Sequence, residues 1–308
     1  MTMNADLRRG SAPFRGVYPI LVTPFDEQDR VDGDSLQSLV AFLLDAGVHG
    51  MGVALGSEVL RLTEAERALV TSTGVKAVAG REPVEINTSG AGTAQALHYS
   101  RMARDEGADA LMLTGPSFMP AGDAGTRSYF KAVSDAVGLP IFIQDVAHQH
   151  ISADLALQIA EESEWVRYIK VESSPTTLMV AETARKAGDR LTVFGGAGGD
   201  YFIEELRRGS QGTMPGCSTP EGFVQVWDRF WAGDEAGALD TFYSRILPVN
   251  RLCSQGWGAF FHVHKQILKA RGVIRTARLR EPAVGLDATT QDELQALIET
   301  LYGKEVGG

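Results

Sequence analysis

The stretch PIFIQDVAHQHISADLALQIAEESEWVRYIKVESS, residues 140–174, holds two short apolar runs separated by an amphipathic segment. PIFIQD (140–145) and VRYIKV (166–171) are rich in β-branched and aromatic residues and have the length of buried strands. SADLALQIAEES (152–163) opens on a serine and repeats apolar residues at helical spacing. Strand, helix and strand in that order predict a parallel crossover unit. The same alternation extends in both directions. Further candidate strands are GVYPILVT (16–23), GMGVAL (50–55), VEIN (84–87), ADALMLT (108–114), LTVFGG (191–196) and GTMPG (212–216), which brings the number to eight. Most of the helical segments between them stop at glycine, and Thr63 with Glu66 has the spacing of a capping box.

Eight alternations without a Pro/Gly/Ser linker predict an α/β chain folded as a (β/α)8 TIM barrel over residues 14–225. Residues 226–308 read as helices and are expected to form a C-terminal helical extension. A doubly wound open sheet is the alternative.

Composition narrows the function. The 308 residues are 44% hydrophobic and 22% charged, as in a folded globular protein. A net charge of -10 argues against a nucleic-acid partner, because neutralising phosphates needs clustered Lys and Arg. Two cysteines, Cys217 and Cys253, make no disulfide framework and fit a reducing cytosol. MTMNADLRRGSAPFR (1–15) carries Arg8 and Arg9 but no apolar signal core, and no run reaches membrane-spanning length. The expectation is a cytoplasmic protein whose partner is a small molecule, with no nucleic acid and no membrane.

Within VRYIKV the anomaly is Lys170, a charge in a strand that otherwise reads as buried. Barrel enzymes carry their chemistry at the C-terminal ends of the strands, which is where Lys170 falls. Burial disfavours an ammonium, and a neutral amine attacks a ketone to form a Schiff base. The other account is an ion pair with Glu172. GGAGG (195–199) is either a phosphate cradle or an ordinary turn. Asp145 and the run HQH (148–150) are either proton carriers or a metal set on one side, or a solvated loop on the other. His262 and His264 stand two apart on a helical segment and so do not share a face.

Several motifs in a fixed order resemble the dihydrodipicolinate synthase and N-acetylneuraminate lyase family, from about Phe14 to Leu301. They are the opening from Gly16 to Phe25, ALGSEVLRLTEAER (54–67), SGAGTAQALHYSRMARDEGADALMLTGP (89–116), IKVES (169–173) and KQILKARG (265–272) followed by Arg280 and Pro282. The resemblance implies a class I Schiff-base enzyme with Lys170 as the imine-forming residue and no metal or organic cofactor. It also implies a homotetramer or homodimer.

The chain departs from the family pattern at its polar positions. The family's Gly-Thr-Thr-Gly-Glu carboxylate loop is here Ala54, Leu55, Gly56, Ser57 and Glu58, which leaves Gly56 and Ser57 as the substrate-binding candidates, with Met214 in the eighth strand. The family's proton-shuttling tyrosine is replaced by Gln144, and an amide does not do a phenol's acid-base work. Phe118 stands where a second relay tyrosine is usual, and Gln149 where the synthases carry a carboxylate-gripping arginine. Gln144, Asp145 and His148, with His150 beside them, are therefore the catalytic candidates around Lys170. The expected function is a class I lyase, aldolase or dehydratase, acting on pyruvate or a related 2-keto acid. A true 4-hydroxy-tetrahydrodipicolinate synthase is one alternative, and a catalytically silent ligand-binding barrel is the other.

Overall fold

The computed structural model describes residues 14–306 except Phe118, Pro120 and Trp257. Arg8, Arg9 and the relay position Phe118 thus lie outside the described residues. In chain order the elements are β1 (Gly16–Val17), α1 (Gly33–Asp45), β2 (Met51–Val53), α2 (Glu64–Val78), β3 (Val84–Asn87), α3 (Thr93–Asp105) and β4 (Ala110–Leu113). There follow α4 (Gly122–Val137), β5 (Ile141–Asp145), α5 (Ala153–Glu162), β6 (Val166–Val171), α6 (Thr176–Ala187), β7 (Thr192–Gly195), α7 (Phe202–Leu206) and β8 (Gly212–Thr213). The C-terminal helices are α8 (Pro220–Trp231), α9 (Glu235–Thr241), α10 (Leu247–Cys253), α11 (Ala259–Ala270) and α12 (Ala288–Val306).

Local chemistry explains the boundaries. Ser152 caps α5 by accepting the Leu155 N–H, and Asp32 caps α1 by accepting the Ser35 N–H. The capping box ahead of α2 forms as its spacing predicts: the Thr63 N–H donates to Glu66 Oε2 at 2.9 Å, and the Glu66 N–H to Thr63 Oγ1 at 3.3 Å. Six strands are shorter than their apolar runs, and two of them keep only two residues. GVYPILVT yields only Gly16–Val17 and GTMPG only Gly212–Thr213, because Pro19 and Pro215 have no N–H to give to a ladder.

The eight strands form one parallel sheet in the order β1-β8-β7-β6-β5-β4-β3-β2. At the remaining seam the His49 N–H donates to the Val17 carbonyl at 3.0 Å, so the sheet is a nearly closed barrel. The chain divides into two compact units. One holds the described residues up to Tyr18, His49–Gly52 and Ala79–Pro215; the other holds Pro19–Val48, Val53–Val78 and the described residues from Gly216 onward.

In the first unit, β5 and β6 pair Gln144 with Lys170. Side chains two apart on a strand share a face, so Phe142 lies under Gln144 and Tyr168 under Lys170. The Phe142 and Tyr168 rings stack at 4.4 Å, Phe14 lies 5.2 Å from Tyr168, and Phe194 meets Phe142 edge-on at 5.4 Å. Burying each such ring contributes roughly 2–3 kcal/mol. The aromatic layer is a dry floor beneath the polar layer that carries Lys170.

In the second unit, α10, α11 and α12 share a core built on Val249, Val263, Ile267, Leu294 and Ile298. Lys265 on α11 donates to Glu58 Oε1 at 2.6 Å, both side chains being fully buried. Among the described residues no helix is long and apolar enough to cross a membrane.

Candidate active site

Lys170 is 4% exposed, near the end of β6. Its Nζ lies 3.0 Å from Glu172 Oε1, so the ion pair that the sequence allows is present. Glu172 is held from two further directions. Its Oε1 accepts the Ala197 N–H at 3.2 Å, and its Oε2 accepts the Gln144 amide at 2.8 Å. Gln144 Oε1 in turn accepts from Asn87 Nδ2 at 3.2 Å, and Asn87 Oδ1 accepts the Ser89 N–H. Asn87, Gln144, Glu172 and Lys170 thus form one hydrogen-bonded chain across β3, β5 and β6.

The turn after β7 serves this cluster. A β-carbon on Gly196 would stand 2.2 Å from Glu172 Cγ, and one on Gly195 would stand 1.8 Å from Glu205 Oε2. The two glycines make room for two carboxylates, and the Ala197 amide, one of the N–H groups of the possible phosphate cradle, is engaged by Glu172. Burial pushes the Glu205 carboxyl up to about 7.

On β3, Glu85 shares a face with Asn87 and is completely buried, and neither carboxylate oxygen has a hydrogen-bond partner among the described residues. Burial pushes its carboxyl up to about 8, against the pull of the Lys170 charge and with the push of Glu172. Burial thus favours the neutral acid form of Glu85.

Asp145 follows Gln144 on β5 and so points to the opposite face. Its Oδ1 accepts the Ser173 hydroxyl at 2.8 Å and the Ile151 N–H at 2.9 Å, and lies 2.9 Å from His150 Nδ1. The structure brings Asp145 together with His150 and Ser173, in a cluster separate from the Gln144 face. A cleft of about 380 Å³ opens beside it, lined by Pro116, Ser117, Met119, His148, Gln149 and His150. His148 is exposed there, and it is His150 that reaches Asp145. Among the described residues no three His, Cys, Asp or Glu side chains converge as a metal set.

In the second unit, Gly56 sits in close quarters, since a β-carbon on it would stand 3.1 Å from Ile20 Cγ2. The Ser57 hydroxyl is tied to backbone: it donates to the Leu21 carbonyl and accepts the Ala54 N–H. Met214, in the first unit, is buried, and its N–H donates to the Gly195 carbonyl at 3.0 Å. His264 is buried with Nδ1 2.7 Å from the Ser218 hydroxyl, and burial pushes its imidazole down to about 4.

Asn87 and Glu85 are the site residues that sequence reasoning passed over. The signal was available: VEIN places two polar side chains on one face of a buried strand, the same oddity that Lys170 presents.

The model of the dihydrodipicolinate synthetase family matches residues 13–301. The chain is 28% identical over 294 residues to L-2-keto-3-deoxyarabonate dehydratase of Azospirillum brasilense, covering 93% of this chain and 94% of that one. It is 30% identical over 301 residues to 4-hydroxy-tetrahydrodipicolinate synthase of Methanosphaerula palustris, covering 93% and 99%. The crystal structure of dihydrodipicolinate synthase from Rhodopseudomonas palustris superposes with a TM-score of 0.84 at 26% identity, covering 93% of this chain and 97% of that one. With synthases and a dehydratase among relatives that match it almost from end to end, the chain belongs to the dihydrodipicolinate synthetase family and is a lyase of that type.

Proposed function

We propose that the enzyme works through an imine between Lys170 and pyruvate or a related 2-keto acid. The observation that carries this reading is a buried amine on β6 whose ion-pair partner is a single, firmly oriented carboxylate. Attack on the carbonyl requires the neutral amine, and Glu172 is placed to take the ammonium's proton. The amine then adds to C2, the carbinolamine loses water, and the protonated imine draws electrons from C3. That sink makes carbon-carbon cleavage, condensation or loss of water possible without a metal or organic cofactor. One relative is named as the dehydratase of a 2-keto-3-deoxy sugar acid, which supports a keto acid as the substrate class. The reading includes a homotetramer or homodimer at work in the cytoplasm.

The test is the intact mass of the protein after incubation with pyruvate and borohydride, for wild type and Lys170→Ala. A reduced adduct in wild type alone is expected. An equal adduct in Lys170→Ala, or none in wild type with pyruvate and longer 2-keto acids, overturns the reading, and the second outcome favours a silent binding barrel.

A further inference from the structure

A Schiff-base lyase needs a base at C3 of the bound keto acid, and the strand position where its family carries a tyrosine holds Gln144. The groups around Lys170 leave few ways to fill that role. Asp145 is on the other face of β5 and already accepts from Ser173 and Ile151. The Tyr168 hydroxyl lies one layer lower and accepts the Phe14 N–H at 3.1 Å. Glu85 is fully buried with neither carboxylate oxygen hydrogen-bonded among the described residues, and burial favours its neutral form. Among the described residues, Glu172 alone has a carboxylate oxygen at hydrogen-bond distance, 3.0 Å, from the reacting nitrogen.

That carboxylate is aimed rather than merely near. The Ala197 amide fixes Oε1, the Gln144 amide fixes Oε2, and Gly196 lacks the side chain that would displace Cγ. Once the imine forms, its nitrogen is the former Nζ, and C3 is only two bonds away.

Resting on the imine reading above, we infer that Glu172 is the base that removes the C3 proton and that Gln144 is the positioning residue that aims it. The C3–H bond breaks, the proton goes to the Glu172 carboxylate, and the bonding pair forms C2=C3 while the iminium nitrogen becomes a neutral enamine. On a 4-hydroxylated 2-keto acid the return step is elimination. The enamine pair re-forms the iminium, C3=C4 is made, C4–O breaks, and the departing hydroxyl takes the Glu172 proton and leaves as water. Hydrolysis of the unsaturated iminium frees Lys170. The substrate class is a 2-keto acid with hydrogen at C3, and a 3-deoxy-4-hydroxy acid is the one that completes the cycle as a dehydration.

The experiment pairs two readouts on pyruvate: borohydride trapping for the imine, and deuterium uptake into the methyl group in D2O, followed by proton NMR, for C3 deprotonation. Wild type is expected to show both. Glu172→Gln should still be trapped at long incubation, more slowly because Glu172 also takes the ammonium's proton, while exchange per imine formed falls by about 100-fold or more, the usual range for losing a general base. Gln144→Leu should be trapped and exchange at an intermediate rate. Exchange at the wild-type rate in Glu172→Gln, or trapping without exchange in wild type, overturns the assignment; absence of trapping in wild type overturns the imine reading instead. If Glu172→Gln does not fold, Glu172→Asp, which draws the carboxylate back by one methylene, must still give the trapped adduct at long incubation while exchange per imine formed is slowed, and a normal exchange rate there also overturns it.

Discussion

A β-carbon placed on Gly196 would stand 2.9 Å from Lys170 Cε, closer than side-chain carbons approach one another. The turn after β7 and the lysine on β6 are therefore fitted to each other. The same added carbon would meet Glu172 Cγ at 2.2 Å, which is not the flexible end of that side chain.

Gly196→Ala should therefore push both side chains out of register while leaving the strand ladder intact, because Gly196 has φ -126 and needs no left-handed conformation. A misplacement of this size costs on the order of 100-fold in a reaction that depends on near-contact geometry. The rate of adduct formation with pyruvate and borohydride should fall by about that factor, with an unchanged far-ultraviolet circular dichroism spectrum. An unaltered trapping rate would show that the turn does not constrain the amine.

Glu85 leads to a prediction in stability rather than turnover. Its carboxyl is neutral in the folded protein up to about pH 8, whereas in the unfolded chain it ionises above the ordinary glutamate value. Between those values the folded state binds more protons than the unfolded state, so stability falls as pH rises and the loss is complete near pH 8. Glu85→Gln keeps the shape of the neutral acid and removes the proton linkage. It should be more stable than wild type at pH 7 by up to about 3 kcal/mol, and of nearly equal stability near pH 4. Urea unfolding of the two proteins at both pH values measures the difference. A variant that loses stability at pH 7 would mean that Glu85 is ionised and paired in the fold.

How much of this was legible in the sequence follows from how local each signal is. The eight strands, the Thr63–Glu66 capping box and the position of Lys170 at a strand's end depend on spacing within a few residues, and each is found where the pattern puts it. Strand length was overrun at Pro19 and Pro215, although the missing N–H of proline is itself written in the sequence. Alternation along β5 also implies that Gln144 and Asp145 do not share a face, a restriction that proximity in sequence conceals. The aim of Glu172 was not legible. It depends on donors from β5 and from the turn after β7, residues 28 and 25 positions away in the chain.

Glu58 and Lys265 carry the last prediction, and they separate a family motif from its chemistry. Glu58 ends the motif that resembles the family's carboxylate loop, yet its Oε1 accepts from Lys265 at 2.6 Å, with both side chains fully buried. Burial pulls the Lys265 ammonium below its ordinary value, and Glu58 opposes that pull. Glu58 also sits at φ 59, a left-handed conformation that a glutamate adopts only when its surroundings hold it there. Removing Lys265 leaves the buried Glu58 carboxylate with Arg61 Nη1 at 3.4 Å as its remaining ion-pair partner among the described residues, so the cost is about 3 kcal/mol, the lower end for breaking a buried pair, whereas removing both partners avoids it. Lys265→Met should therefore lose that much stability, and Glu58→Gln with Lys265→Met should recover most of it. A double-mutant cycle by urea unfolding measures the coupling. Additive losses would mean that the two residues stabilise the fold independently, and that the left-handed turn at Glu58 is held by the backbone around it.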